Sequence, residues 1–210
     1  MDQTRPERQR RSYHSPHRER QAAQTRRVVL AAAAELFNRR GWAGTGIRDV
    51  AAAAGVSVET VYSTVGSKAD LLVAVRDVGI VGDDAPLPLA ARPEFAALGS
   101  GDRAKRSAAA AKLVTQIYQR TARLDLALRE AAAADERLAH RLREDEERRR
   151  EQVALGAQLV AGRPPSDDER DSLWAVLSPE VYLLLTDRSG WTSHQYQTWA
   201  AQQVQQLFDE

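Results

Sequence analysis

The 210-residue chain contains no cysteine, which excludes disulfide bonds, thiolate catalysis and Cys-ligated metal sites. No apolar run approaches the roughly 20 residues that a helix needs to span a bilayer. The N-terminus carries charge without the apolar segment of a secretory signal. The sequence also lacks a convincing alternation of apolar and polar residues, which is the pattern of a β-strand. These absences favour a cytoplasmic protein with no membrane partner.

Helix-forming composition is what the sequence has instead. Hydrophobic residues make up 43% and charged residues 28%, as is typical of a soluble globular protein with an adequate core. Ala-rich stretches recur, and alanine has the highest helix propensity. The sequence therefore predicts an all-α fold.

The net charge of +1 conceals a division between the two ends of the chain. Residues 1–76 hold 13 Lys and Arg against 7 Asp and Glu, whereas residues 77–210 hold 17 against 22. A basic N-terminal part favours contact with a polyanion. A basic tail that only improves solubility is the alternative.

The positions of Gly, Pro and helix-capping residues divide the chain into a predicted arm, a linker and a series of helices. Residues 1–24 have almost no apolar side chains, which predicts a disordered arm. The Pro, Gly and Asp content of residues 82–93 predicts a linker. Helical periodicity starts near Thr25 and predicts helices at about 25–40, 46–54, 58–65, 68–81, 102–122, 123–134, 135–161, 166–188 and 192–208.

The second and third predicted helices are unusually short and close together. Thr45 is expected to cap the first of them and Ser57 the second, with Gly55 supplying a left-handed turn between them. Neither is long enough to be stable alone, so both must pack on the first helix. This arrangement is typical of a helix-turn-helix motif, whose second helix enters a DNA major groove. A pair of short helices in a bundle is the alternative.

The motif residues resemble the tetracycline-repressor (TetR) family of regulators. The similarity is carried by Glu35-Leu36-Phe37, Arg40-Gly41-Trp42, residues 45–51, residues 54–57, Thr60-Val61-Tyr62 and residues 67–72. A weaker similarity to the ligand domains of some actinobacterial members covers residues 173–182 and Gly190-Trp191. The resemblance implies a DNA-binding domain at 25–76 and a helical ligand-binding and dimerisation domain at 77–210.

The family's phosphate-contacting positions fall on Thr45, Tyr62 and Lys68. Capping alone is the other interpretation for Thr45, as core packing is for Tyr62. Arg48 is expected to touch the DNA backbone or a base, unless it lies on a solvated helix face. The remaining residues assigned to the DNA interface are Gly46, Ser57, Val58, Glu59, Thr60, Ser63 and Thr64.

The third helix itself contains no Arg, Lys, Asn or Gln, the residues that make the commonest bidentate base contacts. Modest base discrimination by this helix is therefore expected. The N-terminal arm offers compensating phosphate or minor-groove contacts through Arg5, Arg8, Arg10, Arg11, Arg18 and Arg20.

The C-terminal domain is expected to bind an unknown, largely apolar effector and to form a homodimer on a palindromic operator. Polar candidates for the effector site are Tyr118, His140, Trp174 and Tyr182. Candidates for the dimer interface, which an intramolecular core also explains, are Trp174, Leu177, Val181, Leu184, Leu185, Tyr196, Trp199 and Val204.

A ligand-responsive repressor is thus the function that the sequence favours. We expect no cofactor and no metal site, and the lack of a catalytic constellation argues against an enzyme. An all-α adaptor with a basic tail that binds an acidic partner protein is the competing hypothesis.

Overall fold

The computed structural model describes residues 16–83, 85 and 87–208, and this part of the chain is helical without strands. The predicted all-α class is confirmed. Its helices are α1 (Pro16–Arg40), α2 (Ile47–Ala54), α3 (Val58–Thr64), α4 (Lys68–Val81), α5 (Pro93–Ala96), α6 (Arg103–Ala132), α7 (Glu136–Ala161), α8 (Asp167–Val176), α9 (Pro179–Leu183) and α10 (Ser193–Leu207). In the described residues, no helix has the length and apolar character needed to cross a membrane.

Helix α1 begins at Pro16, well before the predicted start near Thr25. Disorder was therefore the wrong prediction for residues 16–24. Proline fits the first turn of a helix, and the Arg, Glu, Gln and Ala residues that follow have high helix propensity. The rest of the predicted arm, with Arg5, Arg8, Arg10 and Arg11, lies outside the described residues.

A first hydrophobic core holds helices α1 to α4 together. Phe37, Val61, Leu71 and Leu72 have no exposed surface, and residues from the C-terminal half of α6 join the same cluster. The Phe37 ring stacks on Trp42 with centroids 6.2 Å apart. The short helices α2 and α3 are thus stabilised by packing rather than by their own length.

A second core lies between α6, α7, α8, α9 and α10 and is rich in aromatic residues. Tyr182 packs edge-on against Tyr196, with ring centroids 4.8 Å apart, and Phe208 is 1% exposed. Helix α6 runs through both cores as one helix, whereas the sequence predicted a break at 122. That prediction was wrong because neither Gly nor Pro interrupts this stretch.

The predicted helix at 166–188 is also divided. Helix α8 ends at Val176, and the Ser178 side chain accepts a hydrogen bond from the Val181 N–H at 3.2 Å to open α9. Pro179 has no N–H to continue the helix but fits the first position of a new one. A π-helical turn, Leu184–Arg188, then extends α9.

Helix α4 packs in the first core and is fixed on two sides. On α6, Arg120 donates to the carbonyl of Gly79 at 2.7 Å. A Cβ atom at Gly79 would lie 2.8 Å from the Thr121 methyl group, so only glycine permits this approach. On α7, the ion pairs are Arg137–Asp70 at 2.7 Å, Arg141–Asp77 at 2.6 Å and Arg76–Asp145 at 2.9 Å.

Candidate nucleic-acid interface and internal cavity

The turn between α2 and α3 is built as the sequence predicts. Gly55 ends α2 with φ +66, a conformation that L side chains rarely adopt. The Ser57 side chain accepts a hydrogen bond from the Thr60 N–H at 3.1 Å and caps α3. Buried Val50 and Val61 attach the pair to the first core. These contacts give α3 a fixed orientation.

One face of α3 remains exposed, and we name Ser57, Glu59, Tyr62 and Ser63 the α3 surface. The Tyr62 side chain is 54% exposed, so it does not serve the core. Val58, Thr60 and Thr64 are half-buried at the edges of this surface. The α3 surface is therefore free to meet an external partner with a phenol, two hydroxyls and one carboxylate.

The only charged residue of the α3 surface is acidic. Hydrogen bonds from its own backbone N–H and from Ser57 lower the pKa of Glu59 below its usual value. The carboxylate is therefore ionised at neutral pH and repels phosphate. Attraction for a polyanion must come from residues beside α3.

Thr45 does not occupy the predicted position. Gly46 is the N-cap residue of α2, and its N–H donates to the Asp49 carboxylate at 3.1 Å. Thr45 is 1% exposed, and its hydroxyl donates to the Gly41 carbonyl at 2.9 Å. The prediction that Thr45 caps α2 was therefore wrong, and its contact with a phosphate stays a prediction. Thr45 instead braces the turn before α2, while Gly46 is half-buried.

The two predicted cations next to α3 differ in exposure. Arg48 on α2 is exposed. Lys68 is half-buried, donates to the Trp42 carbonyl and lies 4.0 Å from the centre of the Trp42 ring. Burial lowers the pKa of Lys68, and Glu130 opposes that shift. Arg48 is therefore available to a phosphate, whereas the Lys68 ammonium is already partly engaged by Trp42.

The N-terminal part of α1 supplies the cations that α3 lacks. Arg26 donates to the Thr64 carbonyl at the end of α3, at 3.2 Å. A polar groove forms where α1 meets the end of α3, and Arg18, Gln21 and Ser63 lie along it. Arg18 and Arg26 are exposed here. Positive charge thus lies directly beside the α3 surface.

A cavity of about 430 Å³ lies in the C-terminal part of the molecule, bounded by α4, the segment before α5, and α5, α6, α7, α8 and α10. Its size is within the range of small-molecule sites. Most of its lining is apolar and includes Ile80, Phe95, Leu113, Ile117, Val153 and Val204. This lining suits an apolar ligand.

Of the four predicted effector residues, only Tyr118 lines the cavity. Its hydroxyl donates to the Leu177 carbonyl, and burial raises its pKa to about 12. His140 is exposed beside Glu144, and Trp174 lies under the guanidinium of Arg149. The prediction was wrong for His140 and Trp174, whose helix faces turn away from the cavity.

Tyr182, the fourth predicted effector residue, does not line the cavity for a different reason. It belongs to the second core, where its hydroxyl hydrogen-bonds the Ser193 hydroxyl at 2.9 Å. The sequence also missed the charged residues at the cavity wall. Arg76 pairs there with Asp125 and Asp145, and Asp145 is 5% exposed. No local pattern reveals this cluster, because its members lie far apart in sequence.

The predicted dimer residues separate into buried and accessible groups. Leu177, Tyr196 and Val204 are at most 5% exposed within their own chain, so their assignment to a dimer interface was wrong. The intramolecular core explains them. Leu184 is 49% exposed, and the half-buried members of the predicted set are Trp174, Val181, Leu185 and Trp199.

Residues 29–75 match the family model for bacterial regulatory proteins of the tetR family. The matched segment covers the C-terminal half of α1 from residue 29, all of α2 and α3, and α4 up to Val75. No curated protein sequence matches the chain.

Solved structures share the fold over nearly their whole length. A protein from Mesorhizobium loti described as a TetR-family transcriptional regulator has a TM-score of 0.63 and 18% identity, covering 89% of this chain and 96% of that one. A TetR transcriptional regulator from Chloroflexus aurantiacus has a TM-score of 0.60 and 24% identity, covering 89% and 95%. The multidrug binding protein EbrR in complex with imidazole has a TM-score of 0.57 and 20% identity, covering 94% and 95%.

Proposed function

We propose that this chain, whose residues 29–75 match the tetR family of bacterial regulatory proteins, represses transcription as a homodimer on a palindromic operator and is released by a small, largely apolar effector. The family and the fold make it a DNA-binding transcriptional regulator. The operator symmetry, the repressor role and the effector response are the proposed parts.

The exposure of the α3 surface carries the proposal. A helix fits the major groove of B-DNA, and the exposed Tyr62 offers its hydroxyl to a phosphate or a base edge. Thymine methyl groups suit the methyls of Val58 and Thr60 at the edge of this surface. Affinity then comes from Arg48 and the α1 cations, since phosphate contacts supply most of the binding free energy.

A dimer would use the apolar surface left beside the second core. Leu184 is exposed there, and Trp199 packs against Trp191 with ring centroids 6.2 Å apart. Aromatic and apolar residues of this kind are typical of interface centres. Two-fold symmetry would then place two α3 helices on successive turns of one face of the DNA.

Release by an effector requires that the effector prefer a conformation that does not fit DNA. Helix α4 supports this coupling, because Arg76 and Asp77 line the cavity while the N-terminus of α4 packs in the first core. EbrR, a protein of the same fold, binds imidazole. We infer that filling the cavity shifts α4 and with it α3.

The experiment that tests this function is the selection of random DNA duplexes by the purified protein, followed by sequencing. The expected result is an enriched inverted repeat whose affinity falls at least tenfold with Tyr62→Ala. Leu126→Ala is the matched control, because Leu126 is 58% exposed and lies on α6 rather than on α3.

Enrichment of no sequence would contradict the proposal and favour the adaptor hypothesis. Equal losses of DNA affinity in Tyr62→Ala and Leu126→Ala would show that α3 is not part of the DNA interface. A single, unrepeated site bound by one chain would contradict the dimer.

A further inference from the structure

The turn between α1 and α2, residues 41–45, is held by a carboxylate from another part of the chain. We propose that Glu130, on α6, is a positioning residue for DNA reading, which fixes this turn and through it the orientation of α3 before DNA is bound. Glu130 belongs to neither α2 nor α3, so it acts through the turn. This inference rests on the proposed reading of DNA by the α3 surface.

Glu130 binds two successive backbone N–H groups of the turn. The Trp42 N–H donates to its Oε2 atom at 3.2 Å, and the Ala43 N–H donates to its Oε1 atom at 3.3 Å. Gly41, with φ +67, leads into this contact, and a Cβ atom there would lie 3.4 Å from Glu130 Oε2. Hydrogen bonds to an ionised acceptor are stronger than those between neutral groups. Both oxygens of one carboxylate therefore attach the turn to α6.

Trp42 is also held by two other helices. Its carbonyl accepts a hydrogen bond from the ammonium of Lys68 on α4, which lies 4.0 Å from the centre of the Trp42 ring. The ring stacks on Phe37 of α1. Burial lowers the pKa of Lys68, and the charge of Glu130 opposes that shift, so the two charged groups act on each other. Trp42 thus joins α1, α4 and α6.

The position of the turn determines where α2 starts. The Thr45 N–H donates to the Trp42 carbonyl at 3.3 Å, and the Thr45 hydroxyl donates to the Gly41 carbonyl at 2.9 Å. Helix α2 begins two residues later, at Ile47, and the tight turn at Gly55 connects it directly to α3. Because these connections are short and internally bonded, a displacement of residues 41–45 is passed to α3.

Helix α6 is a firm support for this contact. Leu124 and Leu128 of α6 are at most 1% exposed and belong to the first core, so the helix is anchored beside Glu130. Thr121 and Asp125, on the same helix, line the cavity. Asp125 and Glu130 are separated by only about 7 Å along the helix axis. Glu130 therefore ties the α1–α2 turn to a helix of the cavity wall.

Loss of the carboxylate has two effects of opposite sign on DNA affinity. Residues 41–45 gain conformational freedom, which DNA binding must then remove, and ordering the backbone of one residue corresponds to roughly a tenfold change in affinity. Removal of a negative charge alone instead strengthens binding to any polyanion, whatever its sequence. Positioning and charge can therefore be separated by comparing two DNA sequences.

The test measures the affinity of full-length protein for the duplex enriched by selection and for a scrambled duplex of equal length and composition. Glu130→Ala should bind the selected duplex about tenfold more weakly, and the scrambled duplex as well as wild type or better. Glu130→Gln keeps one acceptor oxygen and should lose about threefold on the selected duplex. Glu147→Ala is the control, because it removes the same charge from an exposed position of α7 and should keep the wild-type ratio of the two affinities.

Amide hydrogen exchange of the free protein, followed by NMR, gives a readout without DNA. In Glu130→Ala, the Trp42 and Ala43 amides should exchange at least tenfold faster than in wild type. The Gly41 amide, which donates to the Phe37 carbonyl at 2.9 Å, should be unchanged.

Unchanged exchange of the Trp42 and Ala43 amides in Glu130→Ala would overturn the inference. An unchanged ratio of the two DNA affinities in that variant would overturn it as well, as would the same loss of ratio in Glu147→Ala. Enrichment of no duplex by the wild type contradicts the proposed function instead, so the two proposals fail in different experiments.

Discussion

The α3 surface and the cavity use polar groups in opposite ways. On α3, a phenol, two hydroxyls and a carboxylate are exposed, and no cation stands among them. In the cavity, three carboxylates and three guanidinium groups line the wall, and each has a partner within the chain. The polar groups of the α3 surface are exposed to an outside partner, although Ser57 and Ser63 also bond to Thr60, whereas those of the cavity are mostly satisfied away from solvent.

The contrast shows where specificity can arise in each region. At the α3 surface, many weak polar contacts are available, so recognition depends on neighbouring charge to bring DNA close. In the cavity, the charged groups and hydroxyls of the lining are engaged within the chain, so a ligand meets mainly apolar side chains. Helix α4 lines the cavity and packs with α3 in the first core, so the proposed coupling would run through it.

The largest expected effect comes from breaking the buried charge cluster. Arg76→Met leaves Asp125 buried without its cation, which should lower the free energy of unfolding by about 3–5 kcal/mol in urea denaturation at pH 8. Because burial already raises the pKa of Asp125 and Arg76 opposes it, the variant should recover stability as pH falls and the carboxyl becomes neutral.

The control for this prediction is Arg143→Met, which changes an exposed arginine on α7 and should have no measurable effect. A loss below about 1 kcal/mol in Arg76→Met, or a loss that grows as pH falls, would contradict the account of a paired buried cluster.

A smaller effect is expected where α4 approaches α6. Gly79→Ala should lower the free energy of unfolding by about 1–3 kcal/mol through overpacking, because its Cβ would lie 2.8 Å from the Thr121 methyl group. Adding Thr121→Ser removes that methyl and keeps the hydroxyl, so the double variant should regain most of the loss. If the double variant instead loses stability by the sum of the two single-variant losses in thermal unfolding, the contact between residue 79 and the Thr121 methyl group is not the cause of the Gly79→Ala loss.

The charge beside α3 should appear in the salt dependence of DNA binding. Arg18→Ala with Arg20→Ala should reduce the slope of log affinity against log salt by about 0.9 for each phosphate that the protein no longer neutralises. The matched control is Lys112→Ala with Arg143→Ala, two exposed cations of the C-terminal part. If the slope of log affinity against log salt is unchanged in the Arg18→Ala, Arg20→Ala variant, residues 16–24 of α1 are not part of the DNA interface.

The smallest effect compares two tyrosines of the second core. The Tyr196 hydroxyl is buried without a partner, so Tyr196→Phe should raise the free energy of unfolding by up to about 1 kcal/mol. Tyr182→Phe loses a hydrogen bond of 2.9 Å to Ser193 and should lower it by a similar amount. Thermal melts that rank the two variants in the reverse order would refute this difference.

Helices α2, α3 and α4 were predictable because their signals are local. Helix α4 has its predicted bounds, and α2 and α3 each differ from theirs by one residue. Gly55 and the capping residues Ser57 and Ser67 mark these ends within a few positions of sequence. Thr45 is the failure, because a buried hydroxyl and a capping hydroxyl look alike in sequence.

The cavity could not be predicted in the same way. Arg76 meets Asp125 across 49 positions of sequence, and the partner of each polar group depends on how three helices pack. Hydrogen-bond satisfaction is a property of the packed structure.

The most direct test of the DNA-reading role of α3 is photocrosslinking with p-benzoylphenylalanine in place of Tyr62, and separately in place of Leu126, on the selected duplex. We expect an efficient DNA adduct from position 62, suppressed by excess unlabelled duplex, and none from position 126. Adducts from position 126 alone, or from neither position on a duplex that the protein binds, would contradict this role.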